Sequence, residues 1–240
     1  MADTSTTQRR VALVTGASRG IGAGIVAALR RDGYSVVAVS RSIDRRDEDG
    51  HVAIRGDVTD PDDAGRAVDR ALERFGRLDT LVNNAGVFIE KPFSDYTRED
   101  LARLVGVNVE AFFNVTQPAI AAMAARGSGH VVSVTTSIVE RASSERPSAL
   151  VALTKGGLAA ATRSLAIEYA SRGVRVNAIA PGVVRTPEHD ADSYRGLDAL
   201  HPLGRVAEIE DVVKALLYLE AATFVTGETL HVDGGQAAGR

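Results

Sequence analysis

Short apolar runs alternate with longer amphipathic segments along almost the whole chain of 240 residues. Several of the runs consist only of Val, Ile, Leu and Ala, which is typical of strands buried on both faces of a sheet. Alternating strands and helices favour right-handed crossovers and parallel pairing. The predicted strands are 11–15, 35–40, 52–55, 80–83, 130–135, 174–180 and 229–232, and the predicted helices are 21–31, 62–75, 97–125, 150–171 and 209–220.

This pattern predicts an α/β protein with a doubly wound, seven-stranded and mainly parallel sheet flanked by helices. A chain of this length fits one such unit, so residues 1–240 are expected to form a single domain, with residues 1–9 disordered. About ten residues join the second strand to the third, which barely suffices for a crossover helix. We expect a turn or a single helical turn there.

A glycine-rich turn, TGASRGIG at residues 15–22, joins the first strand to the first helix. Gly16 permits a tight turn, Gly20 lets backbone approach a pyrophosphate, and Gly22 lets the helix lie close to the sheet. The start of that helix then offers unpaired N–H groups to phosphates. Many glycine-rich turns have no ligand, but the position between strand and helix favours a dinucleotide site. The turn therefore predicts a Rossmann fold that binds a nicotinamide dinucleotide.

The residues near this turn favour NADP(H) over NAD(H). An NAD site places an acidic residue at the end of the second strand, whereas here Arg41 follows Ser40. Arg19 lies within the glycine-rich turn, and two guanidinium groups suit a 2′-phosphate. Arg45 or Arg46 could add to them, although all of these could also be ordinary surface arginines.

Composition narrows the class of partner. The formal net charge of −3 gives no reason to expect nucleic acid or an anionic membrane. The first ten residues are polar and no run is long enough to cross a bilayer, so we expect a cytoplasmic protein without a secretory signal. The absence of cysteine excludes disulfides and thiolate metal sites. No metal is expected at His189, Asp190 and Asp192 either, because their spacing is loose.

Motifs spread over nearly the whole chain, in matching order, resemble the classical short-chain dehydrogenase/reductase family. The glycine-rich turn resembles the TGxxxGIG loop of that family, and the ending TGETLHVDGG resembles its last strand. The resemblance implies cofactor contacts from Gly16, Ser18, Arg19, Gly20, Ile21 and Gly22 in the turn, from Arg41, from Asp57 and Val58 beside the adenine, from Asn84, Ala85 and Gly86 in the NNAG motif, and from Pro181, Gly182, Val184 and Thr186 beside the nicotinamide carboxamide.

The resemblance breaks at one catalytic position. The family places a tyrosine four residues before a lysine on one helix, where the lysine lowers the phenol pKa and grips the nicotinamide ribose. Lys155 in LTKGGLAAATRSLAIEYA matches that lysine, but Val151 stands four residues before it. No tyrosine lies between Tyr96 and Tyr169. The chain is therefore identified as a divergent member that lacks the active-site tyrosine.

Other residues could complete the site. Asn108 in VGVNVEAFF matches the asparagine that anchors a proton-relay water, and Thr136 or Ser137 could polarise the substrate or simply cap the strand. Loss of a general acid typically costs ~10²–10⁴ in rate. Glu140 is the first candidate to replace it, because the dienoyl-CoA reductase branch of the family recruits a group from the corresponding loop. Other candidates are Ser143, Ser144, Glu145, His189, Tyr194 and a water held by Asn108 and Lys155.

The sequence leaves three functions open. The first is an NADP(H)-dependent oxidoreductase that reduces a C=C, C=N or C=O bond of a partly apolar small molecule by a non-standard proton path. The second is a non-redox cyclase, dehydratase or isomerase, which the apolar Val151 would suit. The third is a cofactor-binding protein without catalysis. The resemblance and the surplus apolar residues on helices 97–125 and 150–171 predict a homodimer or homotetramer.

Overall fold

The computed structural model describes residues 9–187 and 191–239, without the side chains of Ala191 and Ser193. Its strands are β1 (Val11–Thr15), β2 (Ser35–Ser40), β3 (Arg46–Glu48), β4 (His51–Arg55), β5 (Thr80–Asn83), β6 (Gly129–Val134), β7 (Val174–Pro181), β8 (Val184–Arg185), β9 (Ala207–Glu208) and β10 (Thr229–Val232). Eight of them form one sheet in the order β10-β7-β6-β5-β1-β2-β4-β3, and β8 pairs with β9. Every pair in the large sheet is parallel except β3 with β4. The predicted α/β fold class is confirmed.

Helices cover both faces of this sheet. They are α1 (Gly20–Arg31), α2 (Pro61–Phe75), α3 (Arg98–Val105), α4 (Ala111–Arg126), α5 (Ala149–Tyr169) and α6 (Ile209–Ala221). Alternate residues of β1 face opposite sides, as the two-residue period of a strand requires. Val11 and Leu13 pack under α2 and α4, whereas Ala12 and Val14 pack under α1 and α6. Continuous apolar runs therefore do mark strands covered on both faces.

The connection after β2 differs from the prediction. We expected a turn or a single helical turn, but residues Arg46–Glu48 form the antiparallel edge strand β3, which adds an eighth strand to the sheet. Asp49 and Gly50 turn the chain directly into β4, and Gly50 takes the left-handed conformation with φ 69°. The three residues of β3 are charged and exposed, which discourages pairing with another chain.

The predicted helix 97–125 is interrupted. Between α3 and α4 the chain forms a five-residue π-helical turn, Gly106–Glu110. The expectation of disorder over residues 1–9 falls almost wholly outside the described residues, although Arg9 is described and lies 3.4 Å from Asp49. Across the described part of the chain, the helices are all too short or too polar to span a bilayer.

Candidate active site

The glycine-rich turn lies where β1 and β5 are neighbours, at the carboxyl end of the sheet. Chain connections leave this point in opposite directions, which is where open α/β sheets bind ligands. Thr15 Oγ1 accepts hydrogen bonds from the backbone N–H groups of Asn84 and Ala85, each at 3.0 Å. Asn84 Nδ2 donates to the carbonyl oxygens of Thr15 (3.0 Å) and Gly16 (3.2 Å). The Asn84 side chain thus fixes the turn to the end of β5.

The conformation of the turn requires glycine. Gly16 has φ 64°, and a Cβ there would lie 2.9 Å from Ala85 Cα. A Cβ at Gly22 would overlap the carbonyl oxygen of Gly16, so α1 could not approach the turn with any larger residue. No side chain caps the start of α1, and its first turn carries no acidic residue. Its N–H groups therefore offer a cradle for phosphate.

Three serine hydroxyls connect the turn to the end of β2. Ser40 Oγ donates to Ser18 Oγ at 2.9 Å, and Ser18 Oγ lies 3.0 Å from Ser42 Oγ. Arg19 and Arg41 flank these hydroxyls in sequence, and both side chains are exposed. Sequence reasoning did not identify Ser42. The arrangement provides hydroxyl and guanidinium donors beside the turn, which are the groups that bind a phosphate.

The segment predicted to meet adenine follows β4. Asp57 Oδ1 accepts hydrogen bonds from Thr59 N (3.0 Å) and Thr59 Oγ1 (2.8 Å), and Asp57 N donates to Asp63 Oδ2 at 2.7 Å. Val58 is buried, and its carbonyl oxygen accepts a 3.3 Å hydrogen bond from Asn114 Nδ2. These contacts fix the backbone of Asp57 and Val58 at the carboxyl end of the sheet, and Asp57 lies 3.9 Å from Arg41.

Lys155 is almost completely buried, with 9% of its surface exposed. Its Nζ donates hydrogen bonds to the carbonyl oxygens of Val134 (3.0 Å) and Thr135 (3.4 Å). Burial alone lowers the pKa of the Lys155 ammonium to about 8. A Cβ on Gly86 would lie 3.1 Å from Lys155 Nζ and 3.4 Å from Asn108 Oδ1, so Gly86 leaves open the space between these two polar groups.

Asn108 lies in the π-helical turn, and both polar atoms of its side chain are hydrogen-bonded. Its Oδ1 accepts from Val87 N at 2.9 Å, while its Nδ2 donates to Val87 O and to Thr154 Oγ1, each at 3.1 Å. The amide therefore holds the chain after β5 against α5. Oδ1 accepts one hydrogen bond and can accept a second, so a water held by Asn108 and Lys155 remains a prediction.

Val151, one helical turn before Lys155, has an apolar side chain. Val151 has no exposed surface and packs with Leu104, Ile138 and Leu150. Valine at this position of α5 has no proton to donate.

A cavity of about 490 Å³ lies in front of Lys155. Its apolar lining includes Val87, Phe88, Ile138, Val183, Val184 and Leu197. Its polar lining includes Asn84, Thr136, Ser137, Arg146, Lys155, Thr186, Tyr194 and Gln236, and Gly86, Pro181 and Gly182 contribute backbone. The structure thus brings together the predicted residues of the Lys155 helix, the strand β6 end and the segment after β7.

Two hydroxyls follow β6, as the sequence suggested. Thr136 Oγ1 accepts a long 3.5 Å contact from Ile138 N and so caps a short 3₁₀ turn, whereas Ser137 Oγ donates to Gln236 Oε1 at 2.9 Å. Thr136 acts as a cap, while Ser137 is bonded to a side chain of the cavity. Sequence reasoning missed Gln236 because the two residues are 99 positions apart.

Glu140 does not line this cavity. Its exposed carboxylate lies 3.1 Å from His231 Nε2, because the 3₁₀ turn directs it toward β10. This placement does not support Glu140 as the replacement acid, which remains a prediction. Ser143, Ser144 and Glu145 line a separate cavity of about 290 Å³. His189 and Asp190 lie outside the described residues, and within residues 9–187 and 191–239 no three metal-ligating side chains form a group.

Two further side chains order the segment after β7. Tyr194 is buried, and its Oη accepts a hydrogen bond from Thr186 N at 2.8 Å. His201 Nε2 accepts from Val183 N at 3.1 Å, while its Nδ1 lies 3.0 Å from Leu197 O and donates to it. A Cβ on Gly182 would lie 2.6 Å from His201 Nε2, so glycine is needed for this approach. The contacts hold Pro181–Thr186 beside the cavity.

A family model, related sequences and solved structures all match nearly the whole chain. A family model described as enoyl-(acyl carrier protein) reductase matches residues 16–237. Cis-4-hydroxycyclohexanecarboxylate dehydrogenase of Sinomonas cyclohexanicum is 39% identical over 246 residues, which cover 95% of this chain and 97% of that protein. The crystal structure of 3-ketoacyl-(acyl-carrier-protein) reductase from Brucella melitensis complexed with NADH is 31% identical, with TM-score 0.87 and coverage of 95% and 98%. The structure of ElxO with NADP bound is 26% identical, with TM-score 0.88 and coverage of 96% and 100%.

Proposed function

This chain belongs to the classical short-chain dehydrogenase/reductase family of oxidoreductases, and on that premise we propose that it uses NADPH to reduce the carbonyl group of a partly apolar small molecule. One observation carries the proposal: one cavity joins the predicted cofactor site to the predicted catalytic residues. Ile21 of the glycine-rich turn and Asn84, which bonds to that turn, line this cavity together with Lys155 and Ser137. Relatives whose names state a hydroxy-acid dehydrogenase or a ketoacyl reductase support a carbonyl substrate.

The residues of the glycine-rich turn fit a nicotinamide dinucleotide. The uncapped start of α1 would hold the pyrophosphate, and a Cβ at Gly16 or Gly22 would fill its cradle. Solved relatives hold NADP or NADH in this fold. NADP(H) is the preferred form in our proposal, because the exposed Arg19 and Arg41 and the hydroxyl of Ser42 lie near the turn, where they would bind a 2′-phosphate. Bound there, the dihydronicotinamide supplies a hydride.

Lys155 supplies the charge and the proton in this proposal. Reduction adds a hydride to the carbonyl carbon, breaks the C=O π bond and requires one proton at oxygen, so that ketone, NADPH and a proton give alcohol and NADP⁺. With a pKa of about 8, Lys155 is an ammonium at pH 7. An ammonium has three N–H donors, of which two meet carbonyl oxygens here. The third can pass a proton to the substrate oxygen directly or through a water, and solvent then reprotonates Nζ.

The cofactor part is tested by fluorescence titration with NADPH and NADH. We expect micromolar NADPH binding and weaker NADH binding, and Arg41→Ala should weaken NADPH binding roughly 10-fold without affecting NADH, because one charge-assisted hydrogen bond is lost. Arg163→Ala, which removes an exposed arginine of α5, is the matched control. Equal affinity for both dinucleotides, unchanged in Arg41→Ala, would contradict the NADP(H) preference.

The redox part is tested by transfer of deuterium from 4-deuterated NADPH to a panel of ketones, enones and imines. We expect deuterium on the carbinol carbon of cyclic ketones. Deuterium transfer to enones or imines alone would indicate that the protein reduces C=C or C=N bonds and not ketones. Tight NADPH binding with no transfer to any compound would favour a non-redox enzyme or a cofactor-binding protein without catalysis.

A further inference from the structure

The turn after β10 brings Gln236 to the carboxyl end of β6, across the end of β7. Gly234 and Gly235 both have positive φ, at 60° and 90°, which allows the chain to turn sharply. The buried carboxylate of Asp233 accepts hydrogen bonds from Gly235 N (3.0 Å) and Ala237 N (2.7 Å). Both contacts fix the backbone on either side of Gln236.

Two further contacts position Gln236 itself. Arg141 Nη1 donates to its carbonyl oxygen at 3.0 Å, and Ser137 Oγ donates to its Oε1 at 2.9 Å. Ser137 has 1% of its surface exposed, so the serine end of this pair is held rigidly. Ser137 and Gln236 both line the cavity that contains Lys155, and Gln236 also lines the cavity of about 290 Å³. Gln236 is thus fixed by its own turn and by the segment after β6, at a place where a substrate would bind.

The Ser137–Gln236 pair has more hydrogen-bond donors than the bond between the two residues uses. A serine hydroxyl carries one hydrogen and a glutamine amide carries two, and one of the three forms the bond between them. Rotating the amide by half a turn reverses that bond but again leaves two hydrogens unused. Among the described residues, the Gln236 amide nitrogen has no hydrogen-bond partner. In either orientation the pair presents N–H or O–H donors to the cavity.

We propose that Ser137 and Gln236 together bind and polarise the carbonyl oxygen of the substrate, with Gln236 as a catalytic residue that replaces the donor missing at Val151. This inference rests on the proposed carbonyl reduction. Donors already aimed at an oxygen that gains negative charge lower the barrier without having to reorganise. Neither group releases a proton near neutral pH, so the pair holds the oxygen while the proton comes from Lys155.

The surroundings strengthen this arrangement. Ile138 lies directly after Ser137, and it packs with the buried Val151 in an apolar cluster. Hydrogen bonds to a developing charge are stronger where hydrocarbon displaces water. Ile138 also lines the cavity, so part of the wall beside Ser137 is hydrocarbon.

The first test compares Gln236→Met with Gln117→Met, the same change at an exposed glutamine of α4. We expect Gln236→Met to lower kcat/KM for the best ketone by roughly 10²–10³, as removal of an oxyanion donor does elsewhere, with NADPH affinity unchanged. Ser137→Ala should give a similar loss, and the double variant should lose little more than either. Unchanged kcat/KM in Gln236→Met would overturn the inference.

A second measurement does not depend on turnover. The side-chain amide resonances of Gln236, identified by their absence in Gln236→Met, are followed by NMR while cyclohexanone is added with and without NADP⁺. We expect both amide signals to shift. A shift of the Ile138 methyl signals with unmoved Gln236 signals would overturn the inference and leave the proposed function intact. Failure of NADP⁺ to bind would count against the proposed function, and the titration without cofactor would still test the pair.

Discussion

Lys155 places a positive charge in a site where its neighbours are carbonyl oxygens. The Nζ atom donates to Val134 O and Thr135 O, and burial is the cause that lowers its pKa to about 8. Carbonyl dipoles compensate a buried charge only in part, so the folded protein holds this proton less tightly than the unfolded chain does. A buried lysine of this kind lowers the stability of the folded protein. Its presence is explained by a role in the proposed reaction.

The pKa of Lys155 gives a prediction with a definite sign. Because the pKa falls from 10.5 to about 8 on folding, the penalty is complete below pH 8 and disappears as the pH rises toward 10.5. Lys155→Met should therefore raise the free energy of unfolding at pH 7 by about 2 kcal/mol, less at pH 10, while activity is lost. Urea denaturation at both pH values measures this. Lys214→Met on the exposed face of α6 should show no gain, and a destabilised Lys155→Met would contradict the prediction.

Val151 allows a direct test of the missing phenol. Both Val151→Tyr and Val151→Phe should lose about 1–3 kcal/mol of stability, because each ring overfills the packed cluster with Leu104 and Ile138. Only the tyrosine places a hydroxyl one helical turn before Lys155. Its rate of ketone reduction should exceed that of the phenylalanine variant by roughly 10²-fold, at the low end for general acid catalysis. Equal rates in steady-state assays would show that a phenol at this position does not reach the substrate.

At the scale of elements, the π-helical turn Gly106–Glu110 joins three parts of the site. A π turn widens the helix by one residue and so changes the direction of the side chains it carries. Here it directs Asn108 to the backbone of Val87 on one side and to Thr154 of α5 on the other. The alignment of Gly86 with Lys155 depends on this connection, since Gly86 directly precedes Val87.

The strength of this connection can be measured. Asn108→Ala should cost about 1–2 kcal/mol of unfolding free energy, because it leaves the half-buried N–H and C=O groups of Val87 without their side-chain partner. Thr154→Val should cost about 1 kcal/mol, because it removes a single hydrogen bond from that network. Urea denaturation of both single variants and the double variant gives the coupling. Full additivity would mean that Asn108 and Thr154 do not act together.

The sequence predicted the helices and strands better than it predicted the side-chain contacts between them. The strands were recognisable because β1 up to Val14 and the central residues of β2 are continuously apolar and buried on both faces. The edge strand β3 was missed because its three charged residues carry no strand pattern. The π turn was missed because five residues do not distinguish it from α-helical periodicity. The pairing of Gln236 with Ser137 depends on how three strands end, and no local pattern records it. The predicted cofactor contacts follow from the resemblance and remain predictions.

At the scale of the whole molecule, exposed apolar side chains favour association. Val109 and Phe113 beside α4, and Leu153 and Ile167 on α5, are 38%, 57%, 65% and 80% exposed. Residues spaced four apart on a helix share a face. A face of this kind on two neighbouring helices supports the predicted homodimer or homotetramer.

Charge placed on this surface should prevent association. The double variant Phe113→Asp/Leu153→Asp should lower the mass of the particle measured by sedimentation equilibrium at micromolar concentration. Phe93→Asp, at a phenylalanine that is 70% exposed and lies outside these helices, should leave the mass unchanged. A wild-type protein that sediments as a monomer would contradict the predicted oligomer.

The amino end of the sheet carries a separate buried polar network. Glu220 accepts hydrogen bonds from Tyr34 Oη (2.6 Å) and Thr80 Oγ1 (3.0 Å), and it lies 2.6 Å from His130 Nδ1. His130 Nε2 lies 3.0 Å from Asn177 Nδ2, a donor. The pattern is satisfied when His130 is neutral with its proton on Nδ1, and burial accordingly lowers the His130 pKa.

This network predicts a loss of stability in mild acid. Since the pKa of His130 lies below its unfolded value of 6.5, stability is complete above pH 6.5 and falls as the unfolded chain takes up a proton below it. Each such proton contributes a slope of about 1.4 kcal/mol per pH unit. Urea denaturation between pH 7 and pH 5.5 should show a smaller slope for His130→Gln than for the wild type. An unchanged slope would show that His130 is not the responsible group.

The network around Glu220 lies at the opposite end of the sheet from Lys155, so the two ends can change independently. Substitutions in the loops around the cavity leave its hydrogen bonds in place. Laboratory evolution toward new substrates could then start from variants reinforced at the amino end, where added stability would tolerate mutations that a less robust protein could not survive.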